Sequence, residues 1–324
     1  MNRLRLLASC LIILLPITTA VAAEQGLKKV SLIPQWLPQA QFAGYMVARD
    51  KGFYRQAGLD LTILAGGPGK PPFEYLNSGR ATFGVHWLSV GIQERASQVP
   101  VVNLAQIIQK SALMIVAKKD SGILAPKDLQ GKKVGLWEGQ FYLPALLFFK
   151  KQGISVQIIP NYSSVALFFK GGLDAMSAMW YNEYHQIINS GYDPDELTAF
   201  IFHDFGVKFP EDGLYCWEKT FQDDPEMCRA FVEASLKGWL YAFAHKDEAL
   251  EIVMKYCKEG GVVTNKPHQK WMLARMEDLI LPNGDRSGLG KLNQDAYESL
   301  ARALKDFGLI PDIPSFDSFY RGQR

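Results

Sequence analysis

The sequence predicts an α/β fold built from two units, and three observations carry that reading. Short apolar runs alternate with stretches of helical spacing from about residue 30 to about residue 202. A tight loop, Gly66-Gly67-Pro68-Gly69, separates one such strand from the helix after it. The 324 residues suit about two domains at roughly 150 residues each.

The elements follow in order. Val30–Ile33 reads as a short apolar strand, and Phe42 to Lys51 has helical spacing through Phe42, Tyr45 and Met46. Gly58 stops a second short helix as a left-handed cap. Leu59–Leu64 is a strand, and Pro71-Pro72 opens the next helix. Ala81–Val85, Val101–Leu104 and Leu113–Ala117 are further strands. A second unit is read from Lys118, with strands at Val134–Trp137, Val156–Ile159, Ala175–Met179 and Leu197–Phe202. Helices are predicted at Tyr142–Lys151, Val165–Lys170 and Asn182–Ser190. Strands separated by helices imply mostly parallel sheets. After Asp204 the pattern turns helical, led by Pro225–His245 with Phe231, Leu236, Trp239 and Phe243 on its apolar side. The chain has no long Gly/Ser linker, so ordered crossovers are expected between the units.

Composition narrows the function. Lys plus Arg number 35 and Asp plus Glu 33, a formal net charge of +2, which disfavours a large nucleic-acid surface. Nineteen Phe, 13 Tyr and 7 Trp supply a core and exclude intrinsic disorder. One segment is apolar enough to enter a bilayer. Arg3 and Arg5, then Leu6 to Ile17, then Val21-Ala22-Ala23 make residues 1–23 a secretory signal peptide cleaved after Ala23. The remaining chain would carry 33 basic and 33 acidic residues. Its three cysteines, Cys216, Cys228 and Cys257, are odd in number. They allow one disulfide, with Cys228 and Cys257 the favoured pair, or three buried thiols.

Catalytic signatures fail one by one. No Gly-x-Ser-x-Gly and no Gly-x-Gly-x-x-Gly occurs. Gly69-Lys70 resembles the end of a phosphate loop, but Leu64 stands where its first Gly belongs and Pro71 where its Ser/Thr belongs. The histidines at 86, 185, 203, 245 and 268 have no metal-ligand spacing. No catalytic residue, metal or cofactor is therefore expected.

In open α/β sheets, ligands bind beyond the carboxyl ends of strands. Aromatic and amide-rich sequence collects at those ends. Trp36 and Phe42 lie in the segment Gln35 to Phe42. Gly66, Gly67 and Gly69 offer backbone N–H groups. His86 and Trp87 end the third strand; Trp180, Asn182 and Glu183 follow Ala175–Met179, and Glu138 follows Trp137. Indole faces stack on flat rings, and Asn or Glu satisfies ring nitrogens and exocyclic amines. The set suits a planar heterocycle. The bland alternatives are packing for Trp36 and Trp87, a core histidine for His86, a plain turn for the glycines and helix capping for Asn182 and Glu183.

Four segments carry a family resemblance: Trp36 to Asp60, Leu76 to Gly84, Asp128 to Gly135 and Asp174 to Glu183. With them the chain resembles a type 2 periplasmic substrate-binding protein of the thiamine-pyrimidine synthesis and uptake family. Relatives of that family include formylaminopyrimidine- and riboflavin-binding proteins and, more distantly, sulfonate and nitrate binders. The resemblance implies two lobes around a cleft: residues 24–117 with 208–324, and residues 118–207. It implies a monomer in the periplasm that delivers a small molecule to the permease of an ABC transporter, and through it to the ATPase. Trp36, Phe42 and the glycine loop would form one wall, with Trp180, Asn182 and Glu183 opposite. A eukaryotic branch of the family makes the thiamine pyrimidine from its own histidine and pyridoxal phosphate. Its lysine and histidine fall in the segment that reads Gly84 to Val90 here, which has no lysine. Its iron-binding cysteines belong near Phe205–Gly213, where there are none. Alternatives within the binding class are riboflavin, a sulfonate or another small organic solute. A sensor module presenting ligand to a membrane receptor is a further one.

Overall fold

Burial of alternating apolar strands and helix faces yields two five-stranded sheets in a computed structural model that describes residues 26–161 and 164–323. The proposed signal peptide lies outside the described residues. Ten strands run in chain order: β1 (Lys28–Ile33), β2 (Leu59–Ile63), β3 (Phe83–Trp87), β4 (Val101–Gln106), β5 (Leu113–Lys118), β6 (Lys133–Leu136), β7 (Gln157–Pro160), β8 (Ala175–Met179), β9 (Leu197–Ile201) and β10 (Asp212–Trp217). The first sheet has the order β2-β1-β3-β10-β4 and the second β7-β6-β8-β5-β9. In the first, only β10 runs against the other strands; in the second, only β5 does. Each exception is the strand entered directly after the chain crosses between lobes, so it arrives from the opposite side.

One boundary and one strand differ from the sequence reading. Leu113–Lys118 pairs with β8 and β9, so it belongs to the second lobe and not to a first unit ending at residue 117. The outgoing crossover is therefore residues 107–112. Second, β10 was not anticipated. It lies in the middle of the first sheet and returns the chain there after residues 202–211. The two crossovers lie side by side: Ile107 N and Ile108 N donate to Asp212 O at 3.0 Å each, and Glu211 N donates to Ile108 O at 3.2 Å.

The first lobe is completed by helices from the C-terminal part. Helix Pro225–Ala244 packs on helix Ala43–Asp50. Gly44 lies under the Trp239 ring and Gly238 lies against the Gly44 carbonyl, and a methyl group at either would collide. Phe231 stacks on Phe83 of β3 at 3.8 Å between ring centroids. The three cysteines among the described residues are buried free thiols. Cys228 neighbours Cys216, while the Cys257 thiol donates to Pro38 O at 3.2 Å, so of the two alternatives left open the three buried thiols are the one found.

Candidate functional site

Strand-end loops meet at the junction of the two lobes, and on the first lobe they form a chain of amides ending on an acid. After β1 the chain cannot continue into the sheet past Pro34, and it turns through Gln35 to Gln41 into a short helical turn at Ala40–Phe42. Gln35 and Gln41 both donate to the Asp212 carboxylate, Gln41 to Oδ2 at 2.7 Å. Gln39 donates to Gln41 Oε1 at 2.6 Å, and Ala40 N donates to Gln269 Oε1 at 2.7 Å. Asp212 is 2% exposed, and burial pushes its carboxyl up to about 7 against the lowering effect of both amides. Glu211, 1% exposed, accepts from Ser111 Oγ at 2.8 Å and Ala112 N at 2.7 Å, both on its Oε1. Burial pushes its carboxyl up to about 8.

The second-lobe wall begins where β8 ends. Met179 N donates to Glu183 Oε2 at 3.0 Å, and Asn182 Nδ2 donates to Glu183 Oε1 at 2.7 Å. The carboxylate thus ties the strand end to the first turn of helix Glu183–Asn189, and burial pushes it up to about 7. Tyr181 between them is 4% exposed; burial, then the charges of Glu211, Asp212 and Glu183, raise its phenol well above the ordinary value.

Helix Lys266–Ile280 of the first lobe meets this wall. Trp271 Nε1 donates to Trp180 O at 3.0 Å, and the Trp271 ring stacks on His185 at 4.8 Å. His268 Nδ1 and His185 Nδ1 lie within hydrogen-bond reach at 2.9 Å, and His268 Nε2 lies 3.0 Å from Asn182 Oδ1. The Arg275 guanidinium covers the rings of Trp180 and Trp271 at 4.5 and 4.8 Å. At the other end of the cleft, Trp87 meets Phe141 edge-on at 4.8 Å, and Phe141 meets Trp137 at 5.2 Å.

The predicted residues divide accordingly. Asn182 and Glu183 sit at the junction of lobes and crossovers. Trp180 reaches it, but with a ring face already taken by Arg275. Trp87 is 4% exposed and bridges the lobes. Trp36 is half-buried against the main core. Phe42 is 1% exposed in that core, so the structure makes it a packing residue and not a wall. His86 stacks on Phe73 at 5.0 Å, and its Nδ1 accepts from Trp87 N at 2.9 Å. Burial lowers it to about 4, which leaves a neutral core ring. Gly66 is needed because a side chain would strike the carbonyls of Pro34 and Trp36; Gly67 has φ +129° and accepts from Lys70 N in a turn at 3.1 Å. The loop's glycines are explained by packing and turn geometry alone. Glu138 is exposed at the rim of a separate apolar cavity of about 610 Å³ that also touches Phe307 and Leu309. Glu211, Asp212, His268 and Trp271 were missed. Gln35 and Gln41 lay within a segment already marked as amide-rich, but no local signal pointed to the acids they serve.

Comparison with known proteins adds family and fold. The sequence profile of the family described as NMT1/THI5 like matches residues 39–249. The formylaminopyrimidine-binding protein of Halalkalibacterium halodurans is 24% identical over 281 residues, which covers 84% of each chain. The 4-amino-5-hydroxymethyl-2-methylpyrimidine phosphate synthase of Legionella pneumophila is 27% identical over 242 residues, 69% of this chain and 72% of that one. In three dimensions, the periplasmic aliphatic sulphonate binding protein SsuA from Escherichia coli superposes with a TM-score of 0.70 at 15% identity, covering 88% of this chain and 94% of that one.

Proposed function

The chain belongs to the NMT1/THI5-like family, and from that premise we propose that it is the solute-binding component of an ABC importer. Its ligand is a small planar heterocycle of the thiamine-pyrimidine precursor type, held between the lobes. The observation that carries this is that Tyr181 feels Asp212 and Glu183 together, while helix Lys266–Ile280 reaches Asn182 through His268 and the amide segment at Ala40 through Gln269. Two adjacent crossovers are a hinge, and ligand closes the lobes about it. The closed form docks on an inner-membrane permease. The protein is periplasmic, delivered by residues 1–23, and works as a monomer. No helix among the described residues is long and apolar enough to cross a membrane, which fits that placement.

A synthase reading, suggested by the name of the Legionella relative, is the weaker one. The family's enzymes hold pyridoxal phosphate on a lysine in the segment that reads Gly84 to Val90 here, where there is none. His86 in that segment is committed to Phe73 and to its own backbone. Calorimetric titration with formylaminopyrimidine, paired with small-angle scattering, tests the binding reading. Saturable binding and a smaller radius of gyration support it. Binding with unchanged radius removes the hinge mechanism, and no binding removes the pyrimidine. An aldimine absorbance with pyridoxal phosphate, abolished by substituting one lysine, would restore the enzyme.

A further inference from the structure

Helix Lys266–Ile280 is held on three sides. Gln269 Oε1 accepts from Ala40 N in the first lobe at 2.7 Å. Gln109 N and Lys110 N of the outgoing crossover donate to Leu279 O at 3.0 and 3.2 Å. In the second lobe it meets helix Glu183–Asn189 through His268 and His185, and the end of β8 through Trp271 and Trp180 O. The helix thus braces the joint between the lobes, and much of its hold on the second lobe rests on a pair of imidazoles.

The hydrogens of that pair follow from its neighbours. Asn182 Nδ2 donates to Glu183 Oε1 at 2.7 Å and Asn182 Oδ1 accepts from Gln186 Nε2 at 3.1 Å, which fixes the amide. The same Oδ1 faces His268 Nε2 at 3.0 Å, so that nitrogen carries a hydrogen. His268 Nδ1 is then the acceptor of a neutral ring, and His185 Nδ1–H donates to it at 2.9 Å. The Asn189 amide, 3.1 Å from His185 Nδ1, turns its oxygen to the same hydrogen, an assignment the network sets. A first added proton goes to His185 Nε2 and leaves the bond between the rings in place. A second has only His268 Nδ1 to go to, and it sets two N–H groups face to face.

The surroundings do not offset two imidazoliums. Glu183 reaches the pair through Asn182, and burial pushes it up to about 7, so it is neutral before the second proton arrives. Arg275 already covers Trp271, the indole on which His185 stacks. Tyr184, 6.4 Å from Trp271, has its phenol raised by burial and carries no charge in acid. Of the other charges on helix Lys266–Ile280, Lys266 pairs with Glu251, Glu277 with Lys246 at 2.5 Å and Asp278 with Arg275 at 2.9 Å, while Lys270 is exposed. Burial lowers both histidines, His185 to about 4. Parting the rings returns them to water and takes up protons, so acid favours the parted state.

We propose that the His185–His268 pair is an acid-sensitive latch between the lobes: neutral or singly protonated it holds helix Lys266–Ile280 on helix Glu183–Asn189, and with both rings protonated it releases the lobes. The inference needs the two lobes and their joint but no particular ligand.

The test is small-angle scattering of the ligand-free, whole secreted chain from about pH 7.5 to about pH 3.5, across and below the ordinary histidine range. Circular dichroism and nitrogen spectra of the histidine rings accompany it. The radius of gyration is expected to rise in step with the second protonation of the His185 and His268 rings, below the titration of the exposed His245 and with helix content unchanged. His185→Phe keeps a ring on Trp271 and removes one of the two charges, so its radius should not depend on pH. A constant radius in the unaltered chain, an expansion that comes only with loss of helix, or an acid expansion in His185→Phe equal to that of the parent overturns the proposal. If that variant fails to fold, the spectra of the unaltered chain decide: expansion that follows the signals of this pair upholds the latch, and expansion that follows any other group overturns it. All readings are made without ligand, so the titration with formylaminopyrimidine stands or falls separately.

Discussion

Two loops of this molecule occupy equivalent places, each just past a strand, and only one has the chemistry of a site. The Gly66–Gly69 loop after β2 satisfies itself: its glycines are required by the Pro34 and Trp36 carbonyls and by a turn. The Trp180–Glu183 turn after β8 instead buries a carboxylate and an amide and draws in His268 from the other lobe, which meets Asn182 and His185 of the turn's own helix. A strand end becomes a candidate site when burial leaves polar groups that need partners, since close packing alone asks nothing of a ligand.

The largest expected effect separates the two loops directly. Glu183→Gln keeps the shape and removes the charge that the carboxyl carries above about 7, so at about pH 8.5 affinity for formylaminopyrimidine should fall about 10- to 150-fold while folding persists. Gly66→Ala should cost about 1–3 kcal/mol of stability, as overpacking does, with the folded fraction still binding normally. Denaturant melts and titrations on both variants check the contrast. If Gly66→Ala weakens binding and Glu183→Gln does not, the comparison is reversed.

The buried acids give a pH signature of the ligand-free protein. The folded chain holds protons on Glu183, Glu211 and Asp212 that the unfolded chain has already lost, because burial raises their values to about 7, 8 and 7. Stability contributed this way is complete below the ordinary carboxylate range and is lost as pH rises through the folded values. His86 and His185, lowered to about 4 chiefly by burial, act the opposite way, so their contribution is gained as pH rises toward about 6.5. Stability should therefore fall from about pH 6.5 to about pH 8.5. Thermal melts across that range should show a flatter profile in Glu211→Gln; an identical slope in both proteins would remove Glu211 from the account.

A smaller effect belongs to Trp180. Trp180→Ala removes a ring that lies under Arg275, a contact worth about 0.5–1 kcal/mol, and opens the cleft mouth. Ligand should dissociate faster by a few-fold in stopped-flow displacement, with the melting temperature little changed. An unchanged rate would assign the indole to Arg275 alone. The smallest effect on binding is at Gly69, whose φ is +74° and whose surroundings are open space. Gly69→Ala should cost about 1 kcal/mol through the left-handed backbone and leave binding untouched, which titration of the variant would verify.

How much of this was legible differs by element. Val30–Ile33, Ala175–Met179 and Tyr142–Lys151 fell within a residue or two of their observed ends, because apolar periodicity is a local property. Asp212–Trp217 was missed because its pairing partners, β3 and β4, lie more than a hundred residues earlier, and its acidic start and Gly213 read as loop. Leu113–Lys118 was recognised as a strand but placed in the wrong lobe, since nothing in an apolar run states which sheet it joins.

The same division holds for the site. Sequence by itself determined the alternation of strand and helix, the aromatic and amide residues at strand ends, and the absence of a lysine between Gly84 and Val90. Those follow from residue type and near spacing. Tertiary structure alone decided that Glu211 and Asp212 are buried, that Glu183 is bound by its own strand end, and that His268 meets His185. Charge on a sequence reads as solvated surface. Whether a carboxyl loses its water depends on which distant segments close over it, and here those are two crossovers and a helix brought together only by the folded chain.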